Sequence, residues 1–146
     1  MRTPLWLVAT DFSPASEAAV RHALELARPV GAHLLLLHVV LDLKHLPGFF
    51  VTQVPLERLQ HEMEEEAGRK LEGLMEEARR HAIPARVELR RGTPVAAILS
   101  TAHEEAATMI VVGQAAEEKA GRRLCGGSTA AALFHHPPCP VLVVPA

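Results

Sequence analysis

The chain has 146 residues, 49% of them hydrophobic and 22% charged, with a formal net charge of −2. That is the length of one domain, 1–146, with enough apolar surface for a full core. Near-neutral charge argues against a nucleic-acid binder, which carries a basic excess or stripe, and 3% aromatic residues leave few platforms for stacked bases.

Cys125 and Cys139 are too few for a disulfide framework, and Arg2 is followed by only a short apolar run before Asp11. No apolar stretch approaches the ~18 residues that a bilayer span requires. The expectation is a reduced, cytoplasmic protein without a membrane segment.

Short apolar runs alternate with segments of helical period, a pattern that predicts a parallel sheet covered by helices on both faces. The first strand is Leu5 to Ala9, ending at Thr10-Asp11. A helix follows with Ser13 as N-cap, Pro14 in its first turn and Gly31 at its end; its buried stripe is Val20, Ala23, Leu24 and Ala27. Leu34 to Val40 is continuously apolar, as suits a strand buried on both faces. A loop from Asp42 to Pro55 leads to a long helix, Leu56 to Ala82, with a densely charged outer face that includes Glu64-Glu65-Glu66.

The third strand alternates Ala85, Val87 and Leu89 with Arg86, Glu88 and Arg90, which places it half exposed at a sheet edge. Thr93-Pro94 opens a helix with the stripe Val95, Ile98, Leu99, Ala102 and Ala106. The fourth strand runs from Met109 to Val112 and stops at Gly113. After a polar loop, Gly126-Gly127-Ser128 starts a short alanine-rich helix ending near His136, and Val141 to Val144 forms the fifth strand.

Ligands of open parallel α/β sheets bind outside the carboxyl ends of the strands, where the strand order reverses. In the order 3-2-1-4-5 that point lies between the ends of the first and fourth strands. Gly113 has no Cβ, so a ligand or another backbone can come close there. Gly126-Gly127-Ser128 offers backbone N–H groups, a helix dipole and a hydroxyl to an anion. The plainer alternative is that these glycines serve only tight turns. No G-x-x-x-x-G-K-S/T is present and no G-x-G-x-x-G follows the first strand, so the familiar P-loop and dinucleotide motifs are missing.

Leu7 to Ser13, Leu36-Leu37-His38-Val39, Val111-Val112-Gly113, Gly127-Ser128 and Pro138-Cys139-Pro140-Val141 together resemble the universal stress protein family, along the whole chain and in order. The resemblance implies an adenosine-nucleotide-binding α/β fold of order 3-2-1-4-5, like the adenine nucleotide alpha hydrolases. It also implies a homodimer paired through its last strands, Val141, Leu142, Val143 and Val144. Its ligand would be ATP or another adenine nucleotide, with or without Mg²⁺.

The ATP-binding branch of that family carries G-x2-G-x9-G-S/T. Gly113 takes the first glycine position, Gly127 the last, and Ser128 the hydroxyl, with Thr129 beside it. By that resemblance Asp11, with Thr10 adjoining it, would face the nucleoside, Ala9 would wall the adenine pocket, and Val39 would contact adenine through its backbone. Two departures stand out: Ala116 replaces the second glycine, and ten residues instead of nine separate it from Gly127. With Gly126 as the third glycine the spacing is restored, but Gly127 then replaces the hydroxyl residue.

Other constellations are weaker. His135-His136 with Cys139 lacks a matching ligand pair for zinc, and histidines at a helix C-terminus suit the dipole. His38 in an apolar strand reads as a hydrogen-bonded core residue. Neither paired carboxylates nor a nucleophile–base pair is evident, so no catalytic residue and no metal ligand is assigned. A binding module is therefore expected, with a non-nucleotide interaction protein of the same fold or a slow ATPase as alternatives.

Overall fold

The computed structural model describes residues 2–45, 55–114, 132–133 and 135–145. Its elements in order are β1 (Leu5–Ala9), α1 (Pro14–Val30), β2 (His33–Val40), a 3-10 turn (Leu43–His45), α2 (Leu56–Arg80), β3 (Ala85–Arg91), α3 (Pro94–Glu104), β4 (Met109–Gly113) and β5 (Val141–Val144). The five strands form one sheet in the order β3-β2-β1-β4-β5, and every pairing is parallel. The expected α/β fold and strand order are both present.

Side-chain alternation along the strands divides the core into two layers. Trp6, Val8, Leu34, Leu36 and Val111 face α1 and α2, packing on Val20, Leu24 and Leu71. Leu7, Leu35, Leu37, Ile110 and Val112 face the other way, onto Ile98 and Ala102 of α3 and onto Leu133. The unbroken apolar run of β2 is needed because both of its faces are covered; Leu34 through Leu37 are fully buried.

The ends of α1 follow the sequence signals. The Ser13 side chain accepts from Ser16 N–H, and Gly31 turns left-handed at φ 74, donating to the carbonyls of Ala27 and Arg28. Four details differ from expectation. α2 ends at Arg80, before Ala82, which is itself left-handed at φ 56. Thr93 holds the N-cap position of α3, but its side chain makes no capping bond. A 3-10 turn occupies Leu43–His45, where Asp42 accepts from Lys44 N–H at 3.2 Å and from His45 Nδ1 at 2.8 Å. Finally, residues 132–133 are helical but His135 and His136 lie in a bend, so that helix stops short of His136; its predicted start lies outside the described residues.

The two sheet edges contrast. β3 is bound to its surroundings by charge: Arg91 donates to Glu64 of α2 at 2.9 Å, Arg90 to Glu104 at 2.6 Å and Arg86 to Glu105 at 2.5 Å. Such pairs blunt an edge against stray pairing. β5 is Val-Leu-Val-Val, with its first three residues half exposed.

Candidate functional site

β1 pairs with β2 on one side and with β4 on the other, so the sequence leaves β1 for α1 on one face while β4 is approached from the other. The strand order reverses between β1 and β4, and a cavity of about 140 Å³ opens beside their carboxyl ends. Ala9, Leu37, Val39, Pro94, Ile98 and Val112 supply apolar walls. Thr10, Asp11, Ser13 and Ser16 supply polar ones, and Ala15 and Gly113 complete the lining.

The turn between β1 and α1 builds the polar wall. Thr10 N–H closes the β1–β2 ladder on Leu37 O at 2.9 Å. The chain then reverses through Phe12, a non-glycine residue at φ 65. Asp11 Oδ1 accepts from Ser13 N–H at 2.9 Å, an Asx turn leading into the helix. Behind it, Thr10 Oγ1 and Ser16 Oγ lie 3.1 Å apart, and Ser16 Oγ donates to Ser13 O at 3.0 Å. Partial burial works to raise the pKa of Asp11, but hydrogen bonds from the Ser13 hydroxyl and backbone and from Ser16 outweigh it. The carboxyl is held below the ordinary carboxylate range. It is therefore a fixed anion at neutral pH, suited to accepting from hydroxyl donors.

Gly113 lines the cavity, yet its missing Cβ answers first to the protein. A Cβ there would stand 2.3 Å from Ala15 O and 2.5 Å from Ala15 C, inside the backbone of the first turn of α1. The close approach is that of another backbone, and it sets β4 directly against the helix start that forms the polar wall.

The register exposes a backbone edge at Val39. Thr10 N–H bonds Leu37 O on the β1 side of β2, and Gly92 N–H bonds Val40 O on the β3 side. By alternation, the N–H and C=O of Val39 point to the β1 side. The ladder there ends at Ala9↔Leu37, so no β1 residue stands opposite Val39.

Of the residues singled out from sequence, Ala9, Thr10, Asp11, Val39 and Gly113 come together around this cavity. Ala116, Gly126, Gly127, Ser128 and Thr129 lie outside the described residues. Sequence reasoning missed the rest of the lining: Ser13, Ala15 and Ser16 at the start of α1, and Leu37, Pro94, Ile98 and Val112. For Ile98 the signal was available, because the helix stripe containing it covers the sheet face on which Leu37 and Val39 lie. His38 is bonded as expected, its Nδ1 lying 2.8 Å from Thr10 O, but it is half-buried at the sheet end and not enclosed in the core. Burial pushes the Cys139 thiol up, away from thiolate reactivity. Among the described residues no helix is long and apolar enough to cross a membrane.

An open parallel sheet of order 3-2-1-4-5, with a polar and apolar crevice at its switch point, defines a ligand-binding α/β domain of the doubly wound class. The sequence profile of the universal stress protein family matches residues 6–145, and the chain belongs to that family. No curated protein matches it. Among solved structures, a universal stress protein family member from Burkholderia pseudomallei is 28% identical, with a TM-score of 0.76 over 97% of this chain and 96% of that one. A universal stress protein from Lactobacillus plantarum is 25% identical, with a TM-score of 0.79 over 99% of each chain. A universal stress protein in complex with cAMP is also 25% identical, with a TM-score of 0.68 over 99% of this chain and 98% of that one.

Proposed function

We propose that this chain is an adenine-nucleotide-binding module of the stress response, a single universal stress protein-like domain that acts as a homodimer. The observation that carries the reading is the crevice itself. A backbone donor–acceptor pair at Val39 and a fixed carboxylate at Asp11 share one cavity with apolar walls. The pair matches the Watson–Crick edge of adenine, which presents an amino donor beside a ring acceptor. Asp11 suits the ribose hydroxyls. A relative of the same fold is known in complex with cAMP.

An apolar cavity of ~150 Å³ holds a benzene-sized ring. By that measure the 140 Å³ cavity holds part of a base, and in this reading the sugar and phosphates would lie outside it. Calorimetric titration with AMP, ADP and ATP, with and without Mg²⁺, tests the reading. Saturable heats that weaken in Asp11→Asn are expected. Flat heats at millimolar nucleotide would refute nucleotide binding and leave an interaction protein of the same fold.

The β5 edge supports the dimer reading. Pro140 O and Val144 O accept from Ile110 N–H and Gln114 N–H on the β4 side. The N–H and C=O groups of Val141 and Val143 therefore point outward, where a second copy could pair with them. Val143→Pro removes one outward donor and leaves the β4 ladder intact. Analytical ultracentrifugation should show wild-type dimer and Val143→Pro monomer; a wild-type monomer at micromolar concentration sinks the assignment.

A further inference from the structure

The turn that carries Asp11 has two sides, and only one belongs to the crevice. Thr10 and Asp11 line the cavity on the α3 side of the sheet, whereas Phe12 and His38 do not. Phe12 and His38 border a second cavity of about 270 Å³ on the α2 side, beside Val40, Met63, Ala67 and Lys70. The Phe12 ring packs on the edge of the α1–α2 core layer but is only half-buried and adjoins open space, so core packing alone does not fix it.

Something must fix it. Phe12 sits at φ 65, a region that costs an L side chain roughly 1 kcal/mol or more. Four contacts hold the turn in that shape. His38 Nδ1 donates to Thr10 O at 2.8 Å, and Phe12 N–H donates to Thr10 Oγ1 at 3.0 Å. The Phe12 ring lies 4.5 Å from the His38 ring, centroid to centroid, and the Lys70 ammonium stands 5.2 Å from its centre. A carbonyl can only accept, so Nδ1 of His38 carries a hydrogen.

We propose that His38 and Phe12 are positioning residues, a clasp on the α2 face of the sheet that holds the Asp11 carboxylate in the crevice on the α3 face. Neither touches the crevice; both act through the backbone of Thr10 and Asp11. The clasp itself does not depend on which ligand binds, although its effect on affinity rests on the nucleotide reading above.

The test uses the chain's two aspartates, Asp11 and Asp42, which give two carboxyl signals in ¹³C-aspartate NMR, assigned with Asp11→Asn. His38→Phe keeps a ring against Phe12 and removes the donor; His38→Asn keeps an N–H near the Nδ1 position and removes the ring; Phe12→Ala removes the ring that it places. In the ligand-free protein, the Asp11 midpoint should rise toward the ordinary value in His38→Phe and in Phe12→Ala. It should stay low in His38→Asn, and Asp42 should not move in any of them. AMP affinity should fall about fivefold in His38→Phe, the net worth of one hydrogen bond, and recover in His38→Asn. An Asp11 midpoint unchanged in folded His38→Phe and Phe12→Ala overturns the clasp. Should His38→Phe not fold, Phe12→Ala decides alone, since its ring is only half-buried at the edge of the core. If wild type binds no AMP, the nucleotide reading fails while the Asp11 titration still judges the clasp.

Discussion

Replacing Gly113 with alanine adds one methyl group at the point where β4 meets α1. The new Cβ would lie 2.3 Å from Ala15 O, 2.5 Å from Ala15 C and 2.9 Å from Ser16 N. All three are backbone atoms of a helix turn, so no side chain can swing aside; β4 or the start of α1 must move by about 1 Å. Overpacking of that kind costs about 1–3 kcal/mol, and a rigid neighbour argues for the upper end. For a chain of this size about 3 kcal/mol corresponds to a fall in Tm of about 6–12 °C. Trp6, the only tryptophan, is 7% exposed in the layer beneath α1 and reports unfolding through its fluorescence. Thermal melts of wild type and Gly113→Ala followed at Trp6 give the answer directly. A Tm within 2 °C of wild type would refute the argument, by showing that the contact between β4 and α1 is loose enough to absorb a methyl group.

Other glycines should respond in the opposite sense. Gly68 and Gly73 lie within α2 with open space where a Cβ would be, so Gly68→Ala and Gly73→Ala should each stabilise by about 0.5–1 kcal/mol in denaturant titration. Asp11 has a folded-state pKa below its unfolded one, so its contribution to stability is present above about pH 4 and is lost as pH falls through the lowered value. The stability difference between wild type and Asp11→Asn should therefore be constant from pH 5 to 8 and shrink below pH 4; a difference growing on acidification would contradict the assigned direction.

Much of the fold was legible because this sequence marks its elements with local chemistry. The four leucines of Leu34 to Leu37 require two covered faces, and Ser13-Pro14 and Gly31 bracket α1 with a cap, a preset φ and a left-handed stop. What escaped notice has no such marker. α2 and α3 are followed by left-handed alanines, Ala82 and Ala106, where a glycine would have signalled the stop. Helix-end bonds hold those conformations, Ile83 N–H reaching back to Ala78 O at 3.0 Å and Ala107 N–H to Ala102 O at 2.9 Å, and the buried Ile83 side chain anchors the first. Phe12 is the same case at the site, since nothing in Thr-Asp-Phe-Ser announces a positive φ, and the contacts that hold it come from residues 26 and 58 positions away.

The crevice was legible to the extent that topology determines it. Once β1 and β4 are neighbours, Ala9, Thr10, Asp11 and Gly113 must meet at their ends, and any ligand there meets an anion and a backbone edge. Residue type alone left Gly113 with two meanings, room for a ligand or room for a backbone. The 2.3 Å that would separate an added Cβ from Ala15 O shows that the backbone needs the glycine in its own right. That changes how the site should be understood. The glycine at the end of β4 lets the strand press against the first turn of α1, and this turn in turn fixes Ser13, Ser16 and the loop bearing Asp11. A substitution at Gly113 would therefore weaken ligand binding by moving the polar wall, even if no ligand atom ever touches residue 113.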